Sequence, residues 1–403
     1  MAALAATRNL ISIGEALRLV LERARPLPEE SSGIDEAFGR VLADDAVSAV
    51  DLPPFDSSAM DGFALRSSDT PGRLPVVHRI PAGTPAPRSL EAGEAMGIAT
   101  GAVVPEGADA VIPFEYVVES DNEIEIEHAV ELGANVRPAG GDIGAGETIV
   151  EAGARLEARH LSALAAAGIP EVRVARRPRA AVVVTGSELR LPGEALAPGQ
   201  IYEANGILLE AQLVSAGAEV ERASSVADEE AAHREALERG LDADVLVTSG
   251  GVSVGPHDLV RAILAELGVE EVFWGVSVKP GKPISFGVAG NRLVFGLPGN
   301  PVSSLVGFEL FVRPALLALQ GHADPLPRFE PGRLAAAAKR NDARDQLVRA
   351  RSRGGEDGAV LLEPLAGQES HMIARAAGAD ALVLIPHGEG DLAAGEPVEF
   401  LRL

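Results

Sequence analysis

VLVTSGGVSVGPHDLVRAILAEL (Val245–Leu267), VKPGKPISFG (Val278–Gly287) and NRLVFGLPGNPVSS (Asn291–Ser304) lie in one stretch near the middle of the chain. Val245 to Thr248 is a short β-branched run that ends in Ser249, Gly250 and Gly251, after which the apolar period becomes helical at Leu259, Ile263, Leu264 and Leu267. That pattern predicts strand, glycine loop and helix. Glycines there let backbone N–H groups approach a ligand, and a helix opening at Pro256 would aim free N–H groups and a positive dipole end at an anion. The device recurs where Leu293–Gly296 runs into Leu297, Pro298, Gly299 and Asn300, with Asn300 as N-cap and Pro301 at the first helical position. Between the two helix starts sits KPGKP, in which two prolines and a glycine restrict the backbone carrying Lys279 and Lys282. Each feature alone has a plain reading, a tight turn or a solvated lysine. Together they predict a site for phosphate-like anions. The GxxxxGK[ST] loop is absent, and Gly141, Gly144 and Gly146 neither follow a strand nor space as GxGxxG, so a P-loop or dinucleotide fold is disfavoured.

Outward from this stretch the alternation of strand and helix continues. Ala181–Thr185 and Ala218–Val226 read as strands, Asn205–Ser215 as a helix, and Asp228 as the N-cap of a helix to Arg239. A doubly wound, mostly parallel α/β domain over residues 177–322 is expected, with its ligand site outside the carboxyl ends of the strands. On the N-terminal side, Ser12 and Glu15 open an amphipathic helix as a capping box, and Leu156–Ala167 reads as another helix. Between them, the turn-rich FDSSAMDG (Phe55–Gly62) leads into short strands around Pro75–Ile80, Ala95–Thr100, Ala110–Val118 and Ile124–Ile126. These form an inserted small β-domain over residues 51–137. Residues 1–50 and 138–176 would then make one elongated N-terminal domain across the insertion. Beyond HADPLPRFEPG, the runs Ala359–Leu362, Ala381–Ile385 and Val398–Leu401 suggest a barrel-like C-terminal β-domain over residues 323–403.

Composition bounds the function. A length of 403 residues exceeds one ordinary core, and 3% aromatics mean that the several cores are built mainly from Ala, Val, Leu and Ile. With no cysteine there is no disulfide, thiolate zinc or iron–sulfur site, and the eight scattered histidines do not make a zinc site, so any metal takes oxygen ligands. A formal charge of −24 argues against nucleic acid and anionic membrane as partners. No apolar run reaches the roughly 20 residues of a membrane span, and no secretory leader is evident, which together predict a cytoplasmic protein.

At this point a resemblance becomes specific. SGGVSVGPHD (Ser249–Asp258), KPGKP and GLPGNPVS (Gly296–Ser303), with FDSSAMDGFA, ATGAVVPEGADAV, GGDI, TGSEL and IYEANG in order before them, resemble the strings of the molybdopterin molybdenumtransferases, a bacterial family related to the gephyrin E domain. The resemblance covers nearly the whole chain. It implies a substrate, molybdopterin-AMP, whose pyrophosphate is cleaved as molybdate joins the dithiolene, with release of AMP and molybdenum cofactor. It implies catalytic roles for Asp61, Thr100, Asp142, Glu188, Asp228, Asp258, Lys279 and Lys282. Among these, Glu188, Asp228 and Asp258 are the expected Mg²⁺ or water ligands, although Asp228 also reads as a plain N-cap and Glu188 as a loop charge.

The same resemblance implies a substrate cradle. Thr185, Gly186, Ser249, Gly250, Gly251 and Ser253 would supply one wall, and Pro298, Gly299, Asn300, Pro301 and Ser303 the other. Arg349 and Ser370 match positions near the oxyanion, with Arg351 an alternative to Arg349. Both reacting partners are anions, so cations and aimed N–H groups are what the chemistry requires. The family further implies a homodimer in which the small domain of one chain faces the crevice of the other. A molybdopterin adenylyltransferase and molybdoenzyme acceptors are expected partners. Ser187, Gly141 and Phe63 depart from the common family strings and are expected to tune contacts. Two other classes are weighed: a molybdopterin-binding scaffold, whose mark would be an extra domain on a long disordered linker, and molybdopterin adenylyl transfer, against which the additional domains argue.

Overall fold

The computed structural model describes residues 10–221, 230–251, 259–355 and 358–403. Its centre is a six-stranded sheet in the order Glu219–Glu221, Arg179–Val184, Val245–Ser249, Arg292–Leu297, Ser285–Ala289, Glu270–Trp274. The first four strands are parallel; Ser285–Ala289 runs against them, and Glu270–Trp274 pairs antiparallel to Ser285–Ala289. The parallel strands 179–184, 245–249 and 292–297 are buried almost throughout, as expected of strands covered on both faces. On one face lie the helices Asn205–Ser215 and Ile13–Leu21 and the apolar helix 301–319; on the other lie Glu230–Gly240 and Leu259–Glu266. The mostly parallel, doubly wound reading holds. The strand expected from Ala218 to Val226 is seen at Glu219–Glu221, and its remainder falls outside the described residues.

The helix from Pro301 to Leu319 is long and apolar enough to cross a membrane, but 78% of its most apolar 18-residue window is buried. The middle of the helix, Phe308–Val312, is a π-turn; Arg313 follows it, and Pro314 lies in the next turn. Proline lacks an N–H and clashes with the carbonyl four residues back, so a widened turn there relieves both defects. Gly307 lets the helix lie close to the sheet, since a Cβ at that position would meet Leu297 Cδ2 at 2.8 Å and Ile284 Cδ1 at 3.1 Å.

The first helix, expected on the surface, exposes Glu15, Arg18 and Glu22 but buries Ala16, Leu17 and Val20 in this central core. Its Ser12 cap is seen, the hydroxyl accepting from the Glu15 N–H at 3.1 Å. Segments 29–47 and 148–175 share a separate apolar core containing Leu42, Leu156, Leu164 and Val174, joined by the antiparallel pair Glu29–Gly33 and Glu171–Ala175.

Within residues 57–137 a second six-stranded sheet runs Ala110–Pro113, Gly62–Leu65, Ala95–Ile98, Gly72–Ile80, Glu123–Ile126, Val118–Ser120, with small cores on both faces. The single strand expected over Ala110–Val118 is instead two, broken by Pro113 and the 3-10 turn Phe114–Tyr116. After residue 329, the strands Asp345–Gly354, Val360–Pro364, Glu330–Leu334, Pro397–Arg402 and Ala381–Ile385 close into a five-stranded barrel through pairing of the first with the last. The barrel expectation holds, and closure removes the exposed strand edges.

Candidate active site

The parallel strands bring Val184, Ser249 and Leu297 to one level at the carboxyl edge of the central sheet. The chain leaves each strand in a tight turn. Gly250 and Gly251 adopt φ of 93° and 62°, and a Cβ on Gly250 would lie 2.8 Å from the Thr185 carbonyl oxygen and 2.9 Å from its Oγ1. Only glycine fits both demands. Gly299 follows Leu297 and Pro298 and passes close by, a Cβ there falling 3.7 Å from Gly250 Cα. Thr185, Gly250 and Gly299 are therefore brought together, as the pattern predicted. Glu188 is exposed at the same edge with its carboxylate folded over Gly186, where a Cβ would meet Oε2 at 2.7 Å.

Beneath these loops, Asn205 opens the helix Asn205–Ser215. Its Nδ2 donates to Ser249 Oγ and to the Gly299 carbonyl, each at 2.8 Å. Ser304 Oγ donates to the Pro298 carbonyl at 2.6 Å. Ser303, expected to offer a hydroxyl to the ligand, is only 3% exposed.

The lysine turn lies on the other side. Val278–Lys279 forms a parallel pair with Asp345 and Gln346 of the barrel, while Gly281, at φ 119°, turns the chain back so that the Lys282 carbonyl accepts from Val276 N–H at 3.0 Å. Both lysines are exposed, and neither has an ion-pair or hydrogen-bond partner for its ammonium among the described residues. Arg344 adds a third cation here: its Nη1 donates to the Val278 carbonyl at 3.3 Å, next to Lys279.

At the second helix start the expectation needs correcting. Asn300 occupies the N-cap position and Pro301 follows it, but the Asn300 side chain caps nothing. Its Nδ2 donates instead to Ser370 Oγ at 2.9 Å, and the Val302 N–H, expected to be free for an anion, donates to the Ser370 carbonyl at 3.1 Å. Ser370 thus joins the barrel to this loop. Arg349, expected at the oxyanion, is 1% exposed. Its Nη1 donates to the Met372 carbonyl, and its Nη2 to those of Gly367 and Glu369, so the guanidinium braces the 367–372 loop that carries Ser370. Burial, only partly offset by Glu369, pulls its pKa below the usual arginine range. Arg351 is exposed.

Asp61 and Thr100 meet in the small domain, Asp61 Oδ1 accepting from Thr100 N–H at 2.8 Å. Gly62 makes that geometry possible, because a Cβ there would fall 2.0 Å from the Ile112 carbonyl oxygen. Asp142 lies in the neighbouring loop, its N–H donating to the Leu52 carbonyl at 2.9 Å. Among the described residues no hydrogen bond or strand pairing joins this group to the crevice of its own chain. Ser253, Asp228 and Asp258, with Pro256, lie outside the described residues, and among those described no cluster of three acidic or imidazole groups forms a metal cage.

Comparison with known proteins follows the same division of the chain. Residues 11–168 match the family described as "MoeA N-terminal region (domain I and II)", residues 181–318 the "Probable molybdopterin binding domain", and residues 331–403 the "MoeA C-terminal region (domain IV)". Molybdopterin molybdenumtransferase 2 of Mycobacterium tuberculosis is 36% identical, with 97% of this chain and 99% of the relative aligned. The chain belongs to the molybdopterin molybdenumtransferase family. The Staphylococcus epidermidis relative of that name is 31% identical over 98% of this chain and 96% of its own length. Among solved structures, the molybdopterin biosynthesis moeA protein of Pyrococcus horikoshii OT3 superposes with a TM-score of 0.83 at 29% identity, covering 98% of this chain and all of that one. This chain is accordingly a transferase of molybdenum cofactor biosynthesis. Arg344 and Asn205 were not singled out from the transferase's sequence. Arg344 falls in no string of the resemblance, and Asn205 stood only within IYEANG and as the first residue of a helix, so only tertiary pairing reveals what either touches.

Proposed function

We propose that this transferase binds adenylylated molybdopterin and molybdate in the crevice at the carboxyl edge of the central sheet, cleaves the adenylate and releases AMP. The observation that carries this reading is the convergence of the Thr185, Gly250 and Gly299 turns at the carboxyl edge of the sheet, in a chain of net charge −24 that also exposes Lys279 and Lys282 with no partner for either ammonium among the described residues. In an acidic molecule, such a local cluster is what would attract an anion. Lys279 and Lys282, with Arg344 beside them, would offset repulsion between oxyanion and phosphates, and the loop amides would orient the phosphates. Glu188 fits Mg²⁺: it is an exposed hard-oxygen donor with no hydrogen-bond partner for its carboxylate among the described residues. With Asp228 and Asp258 it would hold the ion, which supplies charge neutralisation at the phosphates.

Asp61, Thr100 and Asp142 would act on the crevice of a second copy in a cytoplasmic homodimer. The exposed Phe55, Met60, Phe114 and Tyr116 beside them support a covered face. Upstream adenylyltransferase and downstream molybdoenzymes would be transient partners. The test is AMP released from molybdopterin-AMP, measured with and without molybdate and Mg²⁺. Release that requires both supports the reading; equal release without molybdate would reduce the reaction to simple hydrolysis.

A further inference from the structure

Asn205 has a role beyond starting a helix. It is 6% exposed, and its Nδ2 spends both protons on two different loops, Ser249 Oγ of the first glycine turn and the Gly299 carbonyl of the second. Those turns come from separate strands, Val245–Ser249 and Arg292–Leu297, and their glycines approach closely at Gly250 and Gly299. The Asn205 Oδ1 is buried with no partner, an arrangement that ordinarily costs stability and that simple optimisation of a helix start would remove. We propose that Asn205 is a positioning residue that sets the spacing of the two glycine turns, and through it the geometry of bound phosphates. This rests on the reading of the crevice as the substrate site. No other side chain among the described residues is hydrogen-bonded to both turns at comparable length; Ser249 reaches the Pro298 carbonyl only at 3.4 Å.

A matched comparison is available within the same fold. Gln320 is 3% exposed and also donates from one amide nitrogen to two carbonyls, those of Ala216 and Leu316, at 2.9 and 2.8 Å, at the far end of the helix that begins at Pro301. Asn205→Ala and Gln320→Ala each remove one buried amide with two bonds, so their thermal destabilisation serves as mutual calibration. The proposal expects Asn205→Ala to lower kcat for molybdate-dependent AMP release by on the order of 10- to 100-fold, the scale of a small misplacement of bound groups. Gln320→Ala is expected to leave kcat and KM within about twofold at a temperature where both variants are folded.

Hydrogen exchange gives a readout independent of activity. In Asn205→Ala, faster exchange should be confined to peptides covering residues 249–251 and 298–304. The isosteric Asn205→Asp keeps the shape but cannot donate, and should behave like Asn205→Ala. Equal kcat losses in the Asn205 and Gln320 variants, or exchange that rises uniformly across the central sheet, would overturn the proposal. If wild type itself releases no AMP in response to molybdate, the substrate reading fails, and the exchange pattern alone decides whether Asn205 spaces the turns.

Discussion

At the scale of single residues the proposed anion site relies on charge that is not used for structure. Lys282 is exposed, with no partner for its ammonium among the described residues, so Lys282→Ala is expected to shift thermal stability by less than about 0.5 kcal/mol, as surface substitutions do. The same change should raise the molybdate concentration needed for half-maximal AMP release by roughly tenfold or more, the effect of removing one cation from a partly dehydrated anion site. A titration of the reaction with molybdate checks this, and an unchanged half-point would place the oxyanion elsewhere. The glycine turns and lysines were legible in the sequence because positive φ and clustered charge are local properties that residue type reports. Arg349 was not. It was expected near the oxyanion, but its burial and the three carbonyls that the 367–372 loop turns toward its guanidinium depend on tertiary packing that DQLVRARS does not report.

At the scale of elements, the alternation of apolar strands and amphipathic helices in the central domain was readable from about Ala180 onward, because strands buried on both faces carry continuous β-branched runs. Two elements elsewhere were hidden for identifiable reasons. Pro113 ends a run that otherwise continues to Val118, and Asp345–Gly354 alternates charge with apolar residues so that its strand character appears only when its partners close the barrel. The join between elements can be tested at Asp244, in the turn before the strand Val245–Ser249. Burial alone would raise its pKa, but hydrogen bonds from the Arg176 guanidinium and the Arg179 N–H outweigh this and hold it below the usual carboxylate range. A depressed folded-state pKa gives stability that is fully present above the unfolded value, about 3.9, and is lost as pH falls through the folded value. Asp244→Asn is therefore expected to cost about 1–2 kcal/mol at neutral pH, discounted for partial exposure. Its melting temperature should converge on that of wild type only below about pH 4. A constant gap down to pH 2 would contradict the ionic contribution.

At the scale of the whole molecule, Asp61 and Lys282 sit on different domains with no direct link within one chain among the described residues. If each chain completes the other's crevice, a heterodimer of Asp61→Asn and Lys282→Ala chains holds one doubly altered site and one intact site. At a molybdate concentration too low to support either variant alone, co-refolding the two should restore up to about a quarter of wild-type activity per chain, since half the dimers are mixed and each mixed dimer has one good site. Mixtures that contain heterodimers by mass yet stay inactive would place both residues in a site of one chain.

The way the small domain is attached has a consequence for how this chain could be taken apart. Leu52 and Ile143 form an antiparallel bridge, the Leu52 N–H donating to the Ile143 carbonyl at 2.9 Å, and Ser48 exchanges hydrogen bonds with Glu147 and Gly146 just before it. The chain departs and returns at the same doorstep, and we expect residues 53–142 to be removable as a cassette. Replacing them with a two-residue Asn-Gly hairpin turn would close the existing bridge without moving either flank. The shortened chain should fold, keep its central-sheet amide protection and retain the crevice lysines, while losing the surface through which one copy would serve another. Such a chain would be a ready recipient for cassettes cut from relatives at the same doorstep, making the small domain exchangeable between enzymes of this family.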